Sequence, residues 1–348
     1  MTLVAGLSVG GLPAFIGDLL LSWRLKTEID LPTVWHPGIY PGQDGDHASG
    51  LAQKLVIVRA YMMVAWAGSY SEATRIIKAL DQTLPPTLNQ LTNPAPILDI
   101  LDTCSEGTEL VALLIWEKTI QPIGVRTQGF ELDGKRIYLL GSGAPEFFSF
   151  LEMHPEAFPE ADSADGLVAR ATMLRFAARA LTMQLKLGTG LESSWGGGFE
   201  IVYPHQSIGF TKLDKLLFRA WMIDESGAYH NSGRSFFATY YGANLHLSWF
   251  NPDEHTYVVP SLVGPLIAPP EHEILHPEWT MDVFLMKEHG SFFEFARYHP
   301  PHRPTADAFE ISHGNLVGWE MDKEYVEACA KQAIEQAPKG ATFSMVRY

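Results

Sequence analysis

A four-layer α-β-β-α sandwich with a C-terminal α+β elaboration is the fold the sequence predicts, and three observations predict it. Over residues 1–224 the apolar patterning runs in the order strands, two helices, strands, two helices, strands. The strand runs are continuously apolar rather than alternating, as in sheets that meet water on neither face. From residue 225 the pattern changes to short aromatic runs separated by proline-rich loops, with one late helix. A boundary near residue 225 follows, with 1–224 as the main domain and 225–348 as an elaboration of unknown role.

The elements are justified in chain order. Residues 2–8 and 14–22 read as two buried strands joined by a tight turn at Gly10 and Gly11. Residues 23–53 carry a Gly, Pro and Asp rich stretch at 36–47 and read as a surface insertion. Two apolar runs at 54–60 and 62–66 lead to Gly68 and then to a helix, because Ser69 with Glu72 three residues later has the form of a capping box. A short helix is expected at 96–101. Strands follow at 109–116, 123–131 and 136–140, the last two joined by a hairpin turn at Asp133 and Gly134. After Gly141, Ser142 and Gly143, helices are expected at 145–153 and 164–186, the second with Leu167, Ala171, Leu174, Ala178 and Leu181 on one face. Strands resume at 199–203 and 216–223. The elaboration reads as strands at 236–241, 281–286 and 292–298, a helix at 322–336 and a final strand at 342–348.

Composition narrows the function. Of 348 residues 46% are hydrophobic and 19% charged, which excludes a disordered chain. A net charge of −15 opposes binding to nucleic acid or to an anionic membrane. The apolar start of the chain carries Gly6, Gly10, Gly11, Pro13, Gly17 and Asp18 and lacks a basic leader, so it is expected to belong to the fold rather than to a signal or a membrane span. Two cysteines, Cys104 and Cys329, make no disulfide framework, and the expected setting is the reducing cytoplasm.

Thr2 becomes the amino-terminal residue if Met1 is removed. A terminal threonine carries its own general base, because its α-amine, with an ordinary pKa of about 7.7–8.0, is partly neutral near pH 7 and lies close enough to take the hydroxyl proton. Thr2 is followed by Asp18 after sixteen residues, and Lys54 by Gly68 after fourteen, with the capped helix next and Gly141-Ser142-Gly143 after the middle hairpin. At these four positions the chain resembles the proteasome β-subunit branch of the N-terminal nucleophile hydrolases, over roughly residues 2–224. The resemblance implies Thr2 as nucleophile, Lys54 as the cation beside it and Asp18 as the partner of Lys54. It implies Gly68 N–H as an oxyanion donor, Ser142 as orienter of the amine, and Trp66 as the floor of the pocket for the acyl side chain. The family's later Asp and Ser correspond ambiguously to Glu192 or Ser194.

The expected activity is therefore an amidohydrolase or peptidase that forms an acyl-enzyme on Thr2, with no cofactor. Its expected partner is a peptide or amide substrate, and assembly into a homo-oligomer is left open. One alternative is a non-catalytic proteasome-like assembly subunit that keeps Met1. Another is a zinc hydrolase, since His272-Glu-Ile-Leu-His276 has the spacing of a zinc-protease helix, although Pro269, Pro270 and Pro277 leave little room for that helix.

Overall fold

The first apolar run and its partner fold as β1 (Val4–Val9) and β2 (Leu12–Asp18), antiparallel, with Gly6 opposite Phe15 and Val4 opposite Gly17. The structure is a computed structural model and describes residues 2–9, 12–23, 47–117, 119–127, 129–132, 135–153, 166–187, 197–205, 209–232, 235–250, 255–286 and 292–337. The strand expected over 14–22 is two strands. At Leu19 the chain leaves the ladder, its N–H bonding Gly198 O and its carbonyl accepting from Ala52. Then β3 (Leu20–Trp23) pairs with β4 (His47–Leu51) at the two ends of the expected insertion.

A four-stranded antiparallel sheet follows, made of β5 (Leu55–Arg59), β6 (Met62–Gly68), β7 (Thr108–Trp116) and β8 (Thr119–Arg126). One face is covered by α1 (Tyr70–Thr83) and α2 (Ala95–Asp102), whose Ile76, Ile77, Leu80, Ile97 and Leu101 pack on Val64, Trp66 and Leu110. Ser69 does cap α1, accepting from Glu72 N at 3.3 Å. The Glu72 carboxylate is drawn instead to Arg75 and to the Ser105 N–H, so the capping box is half formed.

The strand expected over 123–131 also splits, into β8 and β9 (Gly129–Leu132), at Thr127, whose hydroxyl donates to Leu139 O at 2.6 Å. The expected turn at Asp133 and Gly134 lies outside the described residues. With β10 (Lys135–Leu140), α3 (Ala144–Met153), α4 (Gly166–Leu187), β11 (Phe199–His205) and β12 (Gly209–Lys212), the chain completes a six-stranded sheet of order β12-β11-β2-β1-β10-β9. Val4, Phe15, Leu140 and Val202 on this sheet meet Leu55, Met63, Ala65 and Val111 on the four-stranded one.

The remainder is mostly strand: β13 (Leu216–Ile223), β14 (Tyr229–Asn231), β15 (Phe236–Tyr241), β16 (Asn244–Trp249), β17 (His255–Val259), β18 (His272–Leu275), β19 (Trp279–Met286), β20 (Phe292–Tyr298), β21 (Ala308–Ser312) and β22 (Asn315–Glu320), then α5 (Lys323–Gln336). A seven-stranded sheet is built on β13, which pairs parallel with β19 and antiparallel with β15, and β18, β21 and β22 form a small separate sheet. The expected strand at 342–348 lies outside the described residues.

The expected four-layer α-β-β-α sandwich with an α+β elaboration is overturned. Among the described residues 48% are strand and 24% helix, in five helices and several separate sheets. The reason lies in α4. Besides the expected face of Ala171, Leu174 and Ala178, it buries Met173, Phe176 and Ala177, so it is apolar on two sides and packs between sheets rather than forming an outer surface. Ile16 and Ile201 of the six-stranded sheet and Phe218, Met281 and Val283 of the seven-stranded sheet share its core. Beyond that sheet, α5 sets Val326, Ala330 and Ala333 on Trp221, Phe284 and Phe293.

Candidate active site

The β1–β2 hairpin places Asp18 beside the start of the chain. Asp18 N donates to Leu3 O at 2.9 Å, and Leu3 N donates back to Asp18 Oδ1 at 3.0 Å. Lys54, one residue ahead of β5 in the facing sheet, reaches across to this pair. Its Nζ lies 3.1 Å from Thr2 Oγ1, 3.0 Å from Asp18 Oδ1 and 2.7 Å from Leu20 O. An ammonium has three protons to give, and here all three have an acceptor. Lys54 and Asp18 are wholly buried and Thr2 is 6% exposed. Buried at that depth, the ion pair is screened little by solvent, and its geometry is fixed by the hydrogen bonds rather than by side-chain drift.

On the other side of Thr2 stands the 141–143 turn. Thr2 N lies 3.3 Å from Ser142 Oγ, and Gly143 N donates to Thr2 O at 3.0 Å. Gly141 has a φ of +89°, and a Cβ there would fall 2.3 Å from Thr2 O, so the turn can approach Thr2 only with glycine at this position. Gly68 ends β6 with a φ of +95°, where a Cβ would fall 2.3 Å from Gly107 O. Its close neighbours are thus Gly107 and Thr108, and the strand-to-helix turn alone accounts for the glycine. Trp66 is 1% exposed and packs in the core beneath α1. Its indole N–H donates to Gln53 O at 3.0 Å, and its ring centroid is 5.7 Å from Lys54 Nζ. The structure therefore joins Thr2, Asp18, Lys54 and Ser142 by hydrogen bonds and sets Trp66 against Lys54. Glu192 and Ser194 lie outside the described residues.

A second buried charge pair lies behind Lys54. Glu200 Oε1, on β11, accepts from Lys54 N and from Leu55 N at 2.5 and 2.6 Å. Lys212 on β12 is hydrogen bonded to Glu200 Oε2 and Leu55 O, and to Gln53 Oε1 at 3.0 Å. Burial pushes Glu200 up and Lys212 down, and each is opposed by the charge of the other. Sequence reasoning passed over these residues. The signal was a lone carboxylate inside the apolar run Phe199-Glu-Ile-Val-Tyr203, which a strand tolerates only when a partner waits.

The histidine motif does not form a helix. His272 begins β18 and His276 follows its end, so the two residues are separated by about 13 Å of extended backbone, at roughly 3.3 Å per residue. His276 Nδ1 is engaged with Asp307 O at 2.8 Å. Among the described residues no three His, Cys, Asp or Glu gather where a metal ion would fit. Nor, among them, is any helix long and apolar enough to cross a membrane.

No protein-family model and no curated protein matches the chain. Among solved structures it is similar to a Gly-1 mutant of Anbu from Hyphomicrobium sp. strain MC1, at 11% identity and a TM-score of 0.35, over 61% of this chain and 86% of that one. A likeness of that size supports no conclusion about this chain.

Proposed function

We propose that the protein is an N-terminal threonine hydrolase of amide or peptide bonds, acting in the cytoplasm once Met1 is removed. The observation that carries this reading is the placement of the Lys54 ammonium on Thr2 Oγ1, backed by Asp18, with Ser142 at the Thr2 nitrogen. While Met1 is attached, that nitrogen is an amide and takes no proton. Freed, it becomes an amine, and the Lys54 charge nearby depresses its pKa and keeps more of it neutral.

The amine takes the hydroxyl proton, directly or through one water, and Oγ1 attacks the substrate carbonyl carbon. Lys54 stabilises the negative charge on Oγ1 as the proton leaves, and the Gly68 N–H is proposed to donate to the oxyanion on the former carbonyl. Collapse breaks the C–N bond, the ammonium formed on Thr2 returns its proton to the departing amine, and an ester on Oγ1 remains. Water, deprotonated by the same amine, hydrolyses it. Thr2→Ala, assayed on a set of small acyl amides, tests the reading: turnover is expected to vanish, and undiminished turnover would sink it.

A further inference from the structure

We propose that Glu200, Lys212 and Gln53 act as a buried clamp that positions Lys54, and that through Gln53 the strands after residue 235 help to set the site. This rests on the reading of Thr2 as nucleophile. Lys54 lies just outside the β5–β6 ladder, whose register begins at Leu55 opposite Ala65, so its backbone direction is not dictated by strand pairing alone. It is held instead from both sides. Its carbonyl accepts from Trp66 N at 3.0 Å, and its N–H is taken by Glu200 Oε1. Glu200 thereby fixes the backbone from which the side chain sets out toward Thr2.

The clamp is closed on itself. The Lys212 ammonium gives its three hydrogen bonds to Glu200, Gln53 and Leu55, so it has none left for a ligand even though it lines a cavity of about 370 Å³ with Gln53, Asp214 and Tyr240. Paired with Glu200 it is also neutral as a unit, which leaves Asp18 as the charge that answers Lys54. Gln53, 1% exposed, ties the clamp to the later strands: Nε2 donates to Ala243 O at 2.9 Å and to Val259 O at 2.8 Å, while its backbone carbonyl holds the Trp66 indole. A buried ion pair adds little net stability compared with well-packed apolar residues, whereas a carboxylate is well suited to capture two successive N–H groups.

The experiment separates the acceptor from the charge. Glu200→Leu with Lys212→Met removes both charges and the acceptor together. Glu200→Gln with Lys212→Met removes the charges and keeps an acceptor oxygen. Gln53→Met cuts the tie to Ala243 and Val259. Each is tested for the rate at which a β-lactone acylates Thr2 between pH 6 and 9, with urea unfolding as the check on folding. The Leu/Met pair and Gln53→Met are expected to label about 10- to 100-fold more slowly, as a displacement near 1 Å does in an active site. Their half-maximal rate should also move to higher pH, because an ammonium that drifts from Thr2 no longer depresses the amine. The Gln/Met pair should recover most of the rate and the original pH profile. Folded Leu/Met and Gln53→Met variants with wild-type rates and profiles overturn the clamp, as does a Gln/Met pair as slow as the Leu/Met pair.

If the wild-type chain is not acylated at residue 2, the nucleophile reading fails, and the clamp is judged on the exchange of the Lys54 and Leu55 amide hydrogens. These are expected to exchange about 100-fold faster in the Leu/Met pair than in the wild type, and unchanged exchange overturns the clamp.

Discussion

The Lys54 ammonium stands 3.0 Å from the Asp18 carboxylate, with both side chains wholly out of solvent. Removing one member of such a pair leaves an uncompensated buried charge, which costs about 3–5 kcal/mol. Lys54→Ala should therefore lose stability as well as reactivity. Lys54→Met combined with Asp18→Asn removes both charges and should recover most of the stability while Thr2 stays unreactive. Urea unfolding and β-lactone labelling of the two variants check this. A double variant that labels at the wild-type rate would show that the ion pair serves only the fold.

Trp66 packs under α1 and also faces the Lys54 ammonium, so its size bears on both stability and specificity. If the indole fills the acyl pocket, bulky acyl groups meet an overpacking penalty of about 1–3 kcal/mol, or roughly ten- to a hundredfold in kcat/KM. Trp66→Ala should then raise kcat/KM for bulky acyl amides relative to small ones. A loss of about 3–5 kcal/mol of stability with unchanged preference would place Trp66 in the core alone.

The seven-stranded sheet contains its own buried charge network. Arg219 donates to both oxygens of Asp282, at 2.7 and 2.9 Å, and to Asp307 Oδ1 at 2.7 Å, with the Trp221 indole on Asp282 at 2.8 Å. Arg219→Met strands two buried carboxylates and should destabilise the chain by about 3–5 kcal/mol, read from the urea midpoint. A shift below about 1 kcal/mol would contradict the network's role.

Burial, with the Arg297 charge behind it, holds His299 down at about 4, and its Nε2 lies 2.8 Å from Thr280 Oγ1. Unfolded, the same imidazole titrates near 6.5. Between those values the unfolded chain binds the extra proton, so the contribution of His299 is whole above pH 6.5 and falls as the pH drops toward 4, by at most about 3 kcal/mol. His299→Gln should flatten the fall in unfolding free energy between pH 6.5 and 4.5 relative to the wild type. Parallel curves would rule the imidazole out as a source of acid sensitivity.

The meeting of Thr2, Asp18, Lys54 and Ser142 was legible only through the resemblance to the N-terminal nucleophile hydrolases, since Thr2 and Ser142 stand 140 residues apart and no local pattern brings them together. Gln53, Glu200 and Lys212 were not, since their partners come from strands distant in sequence, and nothing local announces that a carboxylate on β11 will face the backbone of residue 54. The layer count failed for a related reason. The spacing of Ala171, Leu174 and Ala178 marks one apolar face of α4, while Met173, Phe176 and Ala177 reveal the second only once another sheet is seen against it. Several strands of that sheet and of the small one, among them β16, β17 and β22, are short and mixed in polarity, so they read as loops until their ladders are drawn.

Mass spectrometry of the purified chain before and after treatment with a β-lactone tests the central claim most directly. The account predicts a chain lighter by one methionine, a single adduct located by fragmentation on Thr2, and no adduct in Thr2→Ala. A chain that keeps Met1 and takes no adduct, or one whose adduct persists in Thr2→Ala, would contradict it and favour a subunit that contributes only surfaces.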